Sequence, residues 1–385
     1  MQALRAALRR GWKWALGKPQ RWPEVLGPAS RGSHLFGGIA RGGVAAIANP
    51  AALPCWMHEQ VAAELDFFRD GITPARLAAA EPFYAHEYHD HFVHYAVRAG
   101  RLRCLTSSRS FPAYIAKRFR TMTPVFRMLA PTLPDMDFVV YLGDGFDGWS
   151  KGCVAPVLTF SKRAGVDDNG LLIPDPLTLA SAHQLRADAE AGSAAFPWGS
   201  REPLAFWRGT TTGGPYNRDN YSEGVRFRLV EWSQRRPDLV DALFTGFHPA
   251  SLDIEPIVLA NSWLGQPVGI RDHFRFKYQV LVDGFTSPWP RFFWALHGDS
   301  AILKQESDLV GWFDAGVEPW VHYIPLAPDL ADLDERVGWA RTHEHEVRAM
   351  AEQACRFACG SLSDAALLGY MHLLLTRYAS LLRGF

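Results

Sequence analysis

The chain has no CxxC pair, no GxxxxGK[ST] phosphate loop, no GxGxxG after a strand pattern, and no run of about 18 apolar residues. The first absence removes the thioredoxin-type redox motif and the paired thiolates of a zinc ribbon. The cysteines are few and odd in number: Cys55, Cys104, Cys153, Cys355 and Cys359. Cys355 and Cys359 lie four apart on a helical pattern and read as core residues. Five reduced thiols fit a cytosolic protein. The missing phosphate loop argues against a P-loop NTPase, and the missing apolar run against a membrane span. Net charge is also absent: 40 Lys and Arg balance 40 Asp and Glu. That balance argues against a general polyanion binder, nucleic acid included, but permits a local basic site. No repeat and no low-complexity tail occurs.

What remains is an ordinary globular composition. The 385 residues are 48% hydrophobic and 21% charged, enough for one large or two medium domains with real cores. Fourteen Trp are many for this length, and an indole face stacks on sugar rings as well as filling cores. At the N-terminus, Arg5, Arg9, Arg10 and Lys13 fall among Leu4, Leu8, Trp12 and Trp14. That pattern suits a basic amphipathic helix, either a foot on a membrane surface or a plain surface helix. Residues 24–54 read as Gly-, Ala- and Pro-rich loop and short elements, and 56–80 as helical.

The most informative stretch is Phe274 to Leu326. Tyr278, Val280 and Val282 alternate in a strand pattern that ends at Asp283-Gly284. Pro290 suits the first turn of a helix whose apolar face is Phe292, Phe293 and Leu296. Ser300 to Lys304 begins another strand. This strand–loop–helix–strand unit sets backbone N–H groups of residues 285–290 at a helix start beside Arg291, an arrangement suited to a diphosphate or simply to an ordinary βαβ unit with a solvated arginine.

Three more patterns bear on chemistry. Leu204 to Trp207 reads as a strand, followed by Arg208-Gly209-Thr210-Thr211-Thr212-Gly213-Gly214, whose glycines and hydroxyls can bring N–H groups against phosphate. Arg226 falls in the first turn of a helix over 223–234. Phe138 to Leu142 reads as a strand after the Arg- and Lys-rich helix 112–130, and it ends in Gly143-Asp144-Gly145. A carboxylate just past a strand's carboxyl end faces the crevice where α/β enzymes bind ligands, a suitable place for a general base. Asp135 and Asp137 form a DxD at the other end of that strand and read as turn and cap. His86, His89, His91 and His94 could be drawn as a zinc site, but a polar element before the hairpin 95–105 is the preferred reading. His343 to Glu346 reads as a solvated helix turn. An Ala- and Gly-rich linker over 187–203 marks a domain boundary, and 332–358 and 362–383 read as long helices. The fold class is α/β: two strand–helix sets, divided as 1–195 and 196–385, with a nucleotide mainly on the second.

Six blocks in order carry a resemblance. LPDMDFVVYLGD, AFWRGTTTG, RRPDLVDALFTG, FKYQVLVDG, LHGDSAILKQ and EPWVHYIPL together resemble glycosyltransferase family 90, from about residue 80 to the end. That family includes Rumi-type protein O-glucosyltransferases, capsule-associated xylosyltransferases and lipopolysaccharide core transferases. The resemblance implies a GT-B arrangement, two Rossmann-like domains with a UDP-sugar in the cleft, and metal-independent inversion. It implies Asp144 as the base. It implies Arg208, Gly209, Thr210, Arg226, Phe285, Thr286, Ser287 and Arg291 around the donor, with no metal ligand and no cofactor beyond the UDP-sugar. FTSPWP is one residue longer than the eukaryotic loop and holds two prolines. The Ala-, Arg- and Gly-rich composition and the lack of a secretory signal or retention tail suggest a bacterial, cytoplasmic protein, peripheral at the inner membrane face. The expected acceptor is then a lipid-linked glycan of lipopolysaccharide core or capsule. The alternatives are a protein O-glycosyltransferase acting on Ser or Thr, a non-catalytic nucleotide-sugar- or glycan-binding protein of the same fold, and a metal-dependent hydrolase using the His86–His94 cluster.

Overall fold

The computed structural model describes residues 52–80, 89–106 and 111–385. The basic N-terminal segment, His86 and most of the stretch 24–54 lie outside the described residues. The chain is mixed α/β and forms two compact units. One comprises the described residues of 32–183, with 307–318 and 356–385. The other comprises 184–306 and 319–355.

The first unit holds a five-stranded mixed sheet. Its strands are β1 (Phe92–Arg98), β2 (Arg101–Cys104), β3 (Met136–Tyr141), β4 (Val157–Thr159) and β6 (Gly170–Leu172), in the order β2-β1-β3-β4-β6. Ala99 and Gly100 both take positive φ, the two-residue turn whose twist suits a β1–β2 hairpin. β1 runs antiparallel to β3, whereas β3, β4 and β6 are parallel. A small antiparallel pair, β5 (Ser161–Arg163) with β11 (Leu309–Gly311), accounts for the return of 307–318 to this unit.

Helix Asp364–Ser380 is apolar nearly all round, so it cannot sit on a surface. Its Tyr370 and Tyr378 hydroxyls donate to the carbonyls of Leu172 and Asp137 at 3.1 and 2.9 Å. Those bonds place the C-terminal residues with the first unit, where the linear division of the chain had put them with the second. The segment 187–203, read as a linker, instead completes helix Pro176–Ala195, makes a single 3-10 turn at Trp198–Ser200 and enters the strand Glu202–Thr210. Alanine is the best helix former, and here its abundance marked a helix.

A buried ion pair braces the first unit. Glu64 projects from helix Cys55–Asp66, and its Oε2 accepts from Lys162 Nζ and from the Leu172 N–H, both at 3.0 Å. Glu64 and Lys162 are 5% and 9% exposed. Burial pushes the Glu64 carboxyl above its ordinary range, and the Lys162 ammonium pulls it back. Removing one partner strands the other charge. Glu64→Ala should therefore cost about 3–5 kcal/mol, read as a lowered urea midpoint, while replacing both residues with apolar ones should recover most of that loss.

The second unit is organised on an all-parallel sheet. Its strands are β7 (Glu202–Thr210), β8 (Val240–Gly246), β9 (Phe276–Leu281), β10 (Ala301–Gln305) and β12 (Ile324–Leu326), in the order β12-β10-β9-β7-β8. β9 and β10 are buried along almost their whole length, as expected of parallel strands covered on both faces. Helix Val225–Arg235 crosses from β7 to β8 and buries Phe227, Leu229 and Val230. The chain builds outward from β7 to β8, then returns to the other side of β7 with β9. The carboxyl ends of β7 and β9 thus flank the point where the strand order reverses, where connections diverge and leave a crevice.

Candidate active site

Two groups of polar side chains sit at carboxyl ends of strands, one in each unit. In the second unit the group forms at the β7/β9 switch point. β7 runs through Arg208, Gly209 and Thr210, so these residues are strand and not the loop that was expected. The pairing of β7 with β8 shifts register between Gly209 and Thr210, so the regular alternation breaks there. Arg208 donates to both the carbonyl and the carboxylate of Asp241 and stacks over the Phe206 ring at 4.4 Å. Its guanidinium is committed to that ion pair, and what it brings to the switch point is its backbone carbonyl. Gly209 is a glycine because the Trp207 indole lies across it: a Cβ there would come within 2.4 Å of the ring.

Arg226, at the start of helix Val225–Arg235, reaches back over the sheet. Its Nε donates to the Asp283 carbonyl at 2.7 Å, and Nη1 donates to the Thr210 carbonyl at 3.0 Å and to Thr212 Oγ1. Gly284 makes room, since a Cβ there would approach Arg226 Nη2 to 2.9 Å. Arg291 opens helix Arg291–Leu296 after Pro290 and donates from Nη2 to the Arg208 carbonyl.

The electrostatics are unusual. Among the described residues, every hydrogen bond of these two half-buried guanidinium groups goes to a neutral acceptor, and neither takes part in an ion pair. Burial pulls Arg226 down to about 10 against the pull of the Asp283 charge. Burial and then the Arg226 charge pull Arg291 down to about 9. Two cations destabilised by burial, at the end of parallel strands, are relieved by an incoming anion.

The loop after β9 supplies the rest. Thr286 and Ser287 are buried, and the Gly284 N–H donates to the Thr286 carbonyl at 3.0 Å. Phe285 packs edge-on against His248 at 4.7 Å. The structure therefore brings Thr210, Arg226 and Arg291 together and keeps the side chain of Arg208 elsewhere. Sequence reasoning missed Thr212, Gly284 and Trp207 in this group. The hydroxyl run Thr210–Thr212 was the available signal, but the turn that follows β7 decides that the Thr212 hydroxyl meets Arg226 while that of Thr211 accepts from the His248 N–H.

In the first unit the group forms just past β3. Gly143 admits the Tyr141 ring, which would lie 2.2 Å from a Cβ at that position. Asp144 follows, half-exposed, and its Oδ1 accepts from Arg118 Nη2 at 2.6 Å. Arg118 Nη1 also donates to the Leu142 carbonyl at 2.9 Å. The DxD is at the opposite end of β3 and is consumed internally. Asp135 accepts from the Ala99 N–H at 2.7 Å, and Asp137 pairs with Arg98 at 2.6 Å and His94 at 3.5 Å. Among the described residues, no group of three or more His, Cys, Asp or Glu could hold a metal ion. His91 is used structurally, bonding Asp90 and the Tyr114 hydroxyl. Arg118 lies 26 residues before Asp144 and could not be linked to it from sequence, because only the packing of helix Ala113–Leu129 brings them together.

The model of glycosyl transferase family 90 matches residues 54–384. The chain belongs to this family. Human protein O-glucosyltransferase 3 is 30% identical over 259 residues, 64% of this chain and 47% of that protein. Protein O-glucosyltransferase 2 of Danio rerio is 30% identical over 262 residues, 65% of this chain and 48% of that protein. O-glucosyltransferase rumi of Drosophila pseudoobscura pseudoobscura is 26% identical over 277 residues, covering 66% and 63% of the two chains. The chain spans about half the length of the first two. The family 90 match begins at residue 54, earlier than the motifs suggested. Helix Cys55–Asp66 carries no chemical motif, yet its Glu64 holds Lys162 in the core of the unit.

Proposed function

We propose that the chain is an inverting, metal-independent glycosyltransferase that moves a sugar from a UDP-sugar to a Ser or Thr hydroxyl of a protein. The observation that carries this reading is the pair of guanidinium groups, Arg226 and Arg291, at the β7/β9 switch point, which form no ion pair among the described residues. Such a pair suits a diphosphate, whose charge grows as UDP leaves. Thr210, Thr286, Ser287 and the Gly209 backbone would line the same donor, with Phe285 at its edge. Asp144 would act as base: it takes the acceptor proton, the acceptor oxygen bonds to the anomeric carbon on the face opposite UDP, and the bond to the β-phosphate oxygen breaks with its electron pair going to UDP. A GT-B arrangement of the two units is part of the proposal, supported by each unit carrying one half of this chemistry.

The relatives' names speak for a protein acceptor over the lipopolysaccharide or capsule glycan expected from composition. The deciding experiment offers UDP-glucose with folded Ser/Thr-containing domains in one arm and lipid-linked glycans in the other, and reads the product anomer by NMR. An inverted glycoside on the polypeptide supports the reading; transfer only to the lipid arm replaces the acceptor. Because two guanidinium groups occupy the place of a divalent cation, activity should survive EDTA. Loss in EDTA restored by Mn²⁺ would sink the metal-independent mechanism.

A further inference from the structure

The polar contacts around Asp144 form a chain with a direction. Burial holds the His91 imidazole below its ordinary range, so it is neutral at physiological pH. Its Nδ1 lies 2.6 Å from Asp90 Oδ1. A neutral ring donates from Nδ1 to that carboxylate, which leaves Nε2 to accept from the Tyr114 hydroxyl. The Tyr114 ring underlies the Arg118 guanidinium, 5.4 Å from its centroid. Arg118 then spans two acceptors, the Leu142 carbonyl at 2.9 Å and Asp144 Oδ1 at 2.6 Å. The backbone closes the ring, with the Leu142 N–H donating to the His91 carbonyl at 2.8 Å. Asp175, at the start of helix Pro176–Ala195, is pushed up to about 6 by burial, with its hydrogen bonds from Thr178 and Leu177 and then the Arg118 charge pulling it back.

We propose that Arg118 is a positioning residue for sugar transfer, its planar fork setting the orientation of the Asp144 carboxylate against the end of β3. The inference rests on the reading of Asp144 as base. An exposed ion pair would do little of this, because two mobile side chains exchange partners with water. Here the cation is 15% exposed on its side chain and pinned by a backbone carbonyl, whereas the carboxylate is 45% exposed. Asp144 sits between Gly143 and Gly145, the latter at φ +144°, so the turn alone restrains the carboxylate weakly. A base misplaced by about 1 Å can cost about 10²-fold in rate. A lysine at position 118 would keep the charge, but a point charge cannot hold the fork geometry.

The test compares Arg118→Lys, Arg118→Ala and Asp144→Asn in the full chain. Each is assayed for kcat, acceptor KM and UDP affinity. Arg118→Lys should lower kcat by about 10- to 100-fold with UDP affinity and acceptor KM within about twofold of wild type, and added guanidinium should restore part of the kcat of Arg118→Ala. Wild-type kcat in Arg118→Lys, with Asp144→Asn inactive, overturns the inference alone. Loss of UDP affinity together with kcat, without rescue, makes Arg118 a structural brace and also overturns it. Undiminished turnover in Asp144→Asn removes the base itself and the inference with it.

Discussion

Asp144→Asn should reduce transfer by about 10²–10⁴ while UDP still binds. Asparagine keeps the volume and one acceptor oxygen but cannot take the acceptor's proton at neutral pH. Tenfold in rate corresponds to about 1.4 kcal/mol of barrier, so the expected loss is roughly 2.7–5.5 kcal/mol, all of it in the transition state. Donor affinity should hold because the guanidinium pair proposed to bind the diphosphate belongs to a separate sheet. The variant should also fold, since the carboxylate is half-exposed and water can satisfy Arg118 where Asp144 did. Turnover within a few-fold of wild type, with UDP affinity unchanged, would exclude Asp144 as the base.

The second large effect is expected at Arg226. Three of its five N–H donors are fixed by the Asp283 carbonyl, the Thr210 carbonyl and the Thr212 hydroxyl, so the cation is oriented before any ligand arrives. Preorganised donors of this kind are typically worth about 10²–10³ in kcat. Arg226→Lys keeps a positive charge, but a single ammonium cannot span both strand ends. It should lower kcat/KM by about 10²–10³ and weaken UDP binding. Arg208→Lys, by contrast, should act mainly through stability, because its guanidinium serves Asp241. If Arg226→Lys matched wild type in both UDP affinity and kcat, the switch point would lose its role as the diphosphate site.

The two groups were legible in the sequence to different degrees. Asp144 could be found because a strand pattern ending in Gly-Asp-Gly states its own position, and strand ends carry ligands in α/β proteins. Arg226 and Arg291 could be found because each opens a helix after a strand, a local feature. Arg208 shows the limit of that approach. Its block ends at the switch point, but β7 continues through Thr210, and the period of two turned the side chain to the Phe206 and Asp241 face. The segment 187–203 misled for a related reason: alanine and glycine in a row describe a linker or a helix equally well, and burial of one face chose the helix.

Much of the local order was written in the residues themselves: most of the strands and helices, and which carboxylate and which two arginines follow strand patterns. These follow from side-chain periodicity and backbone sterics, which act over a few residues. Partnership was not written there. That Arg118 grips Asp144, that Glu64 holds Lys162, that Arg291 leans on the Arg208 carbonyl, and that helix Asp364–Ser380 joins the first unit all depend on contacts between residues tens to hundreds of positions apart. Such pairs form only when burial of apolar faces has brought distant elements together, and no short-range rule names them in advance.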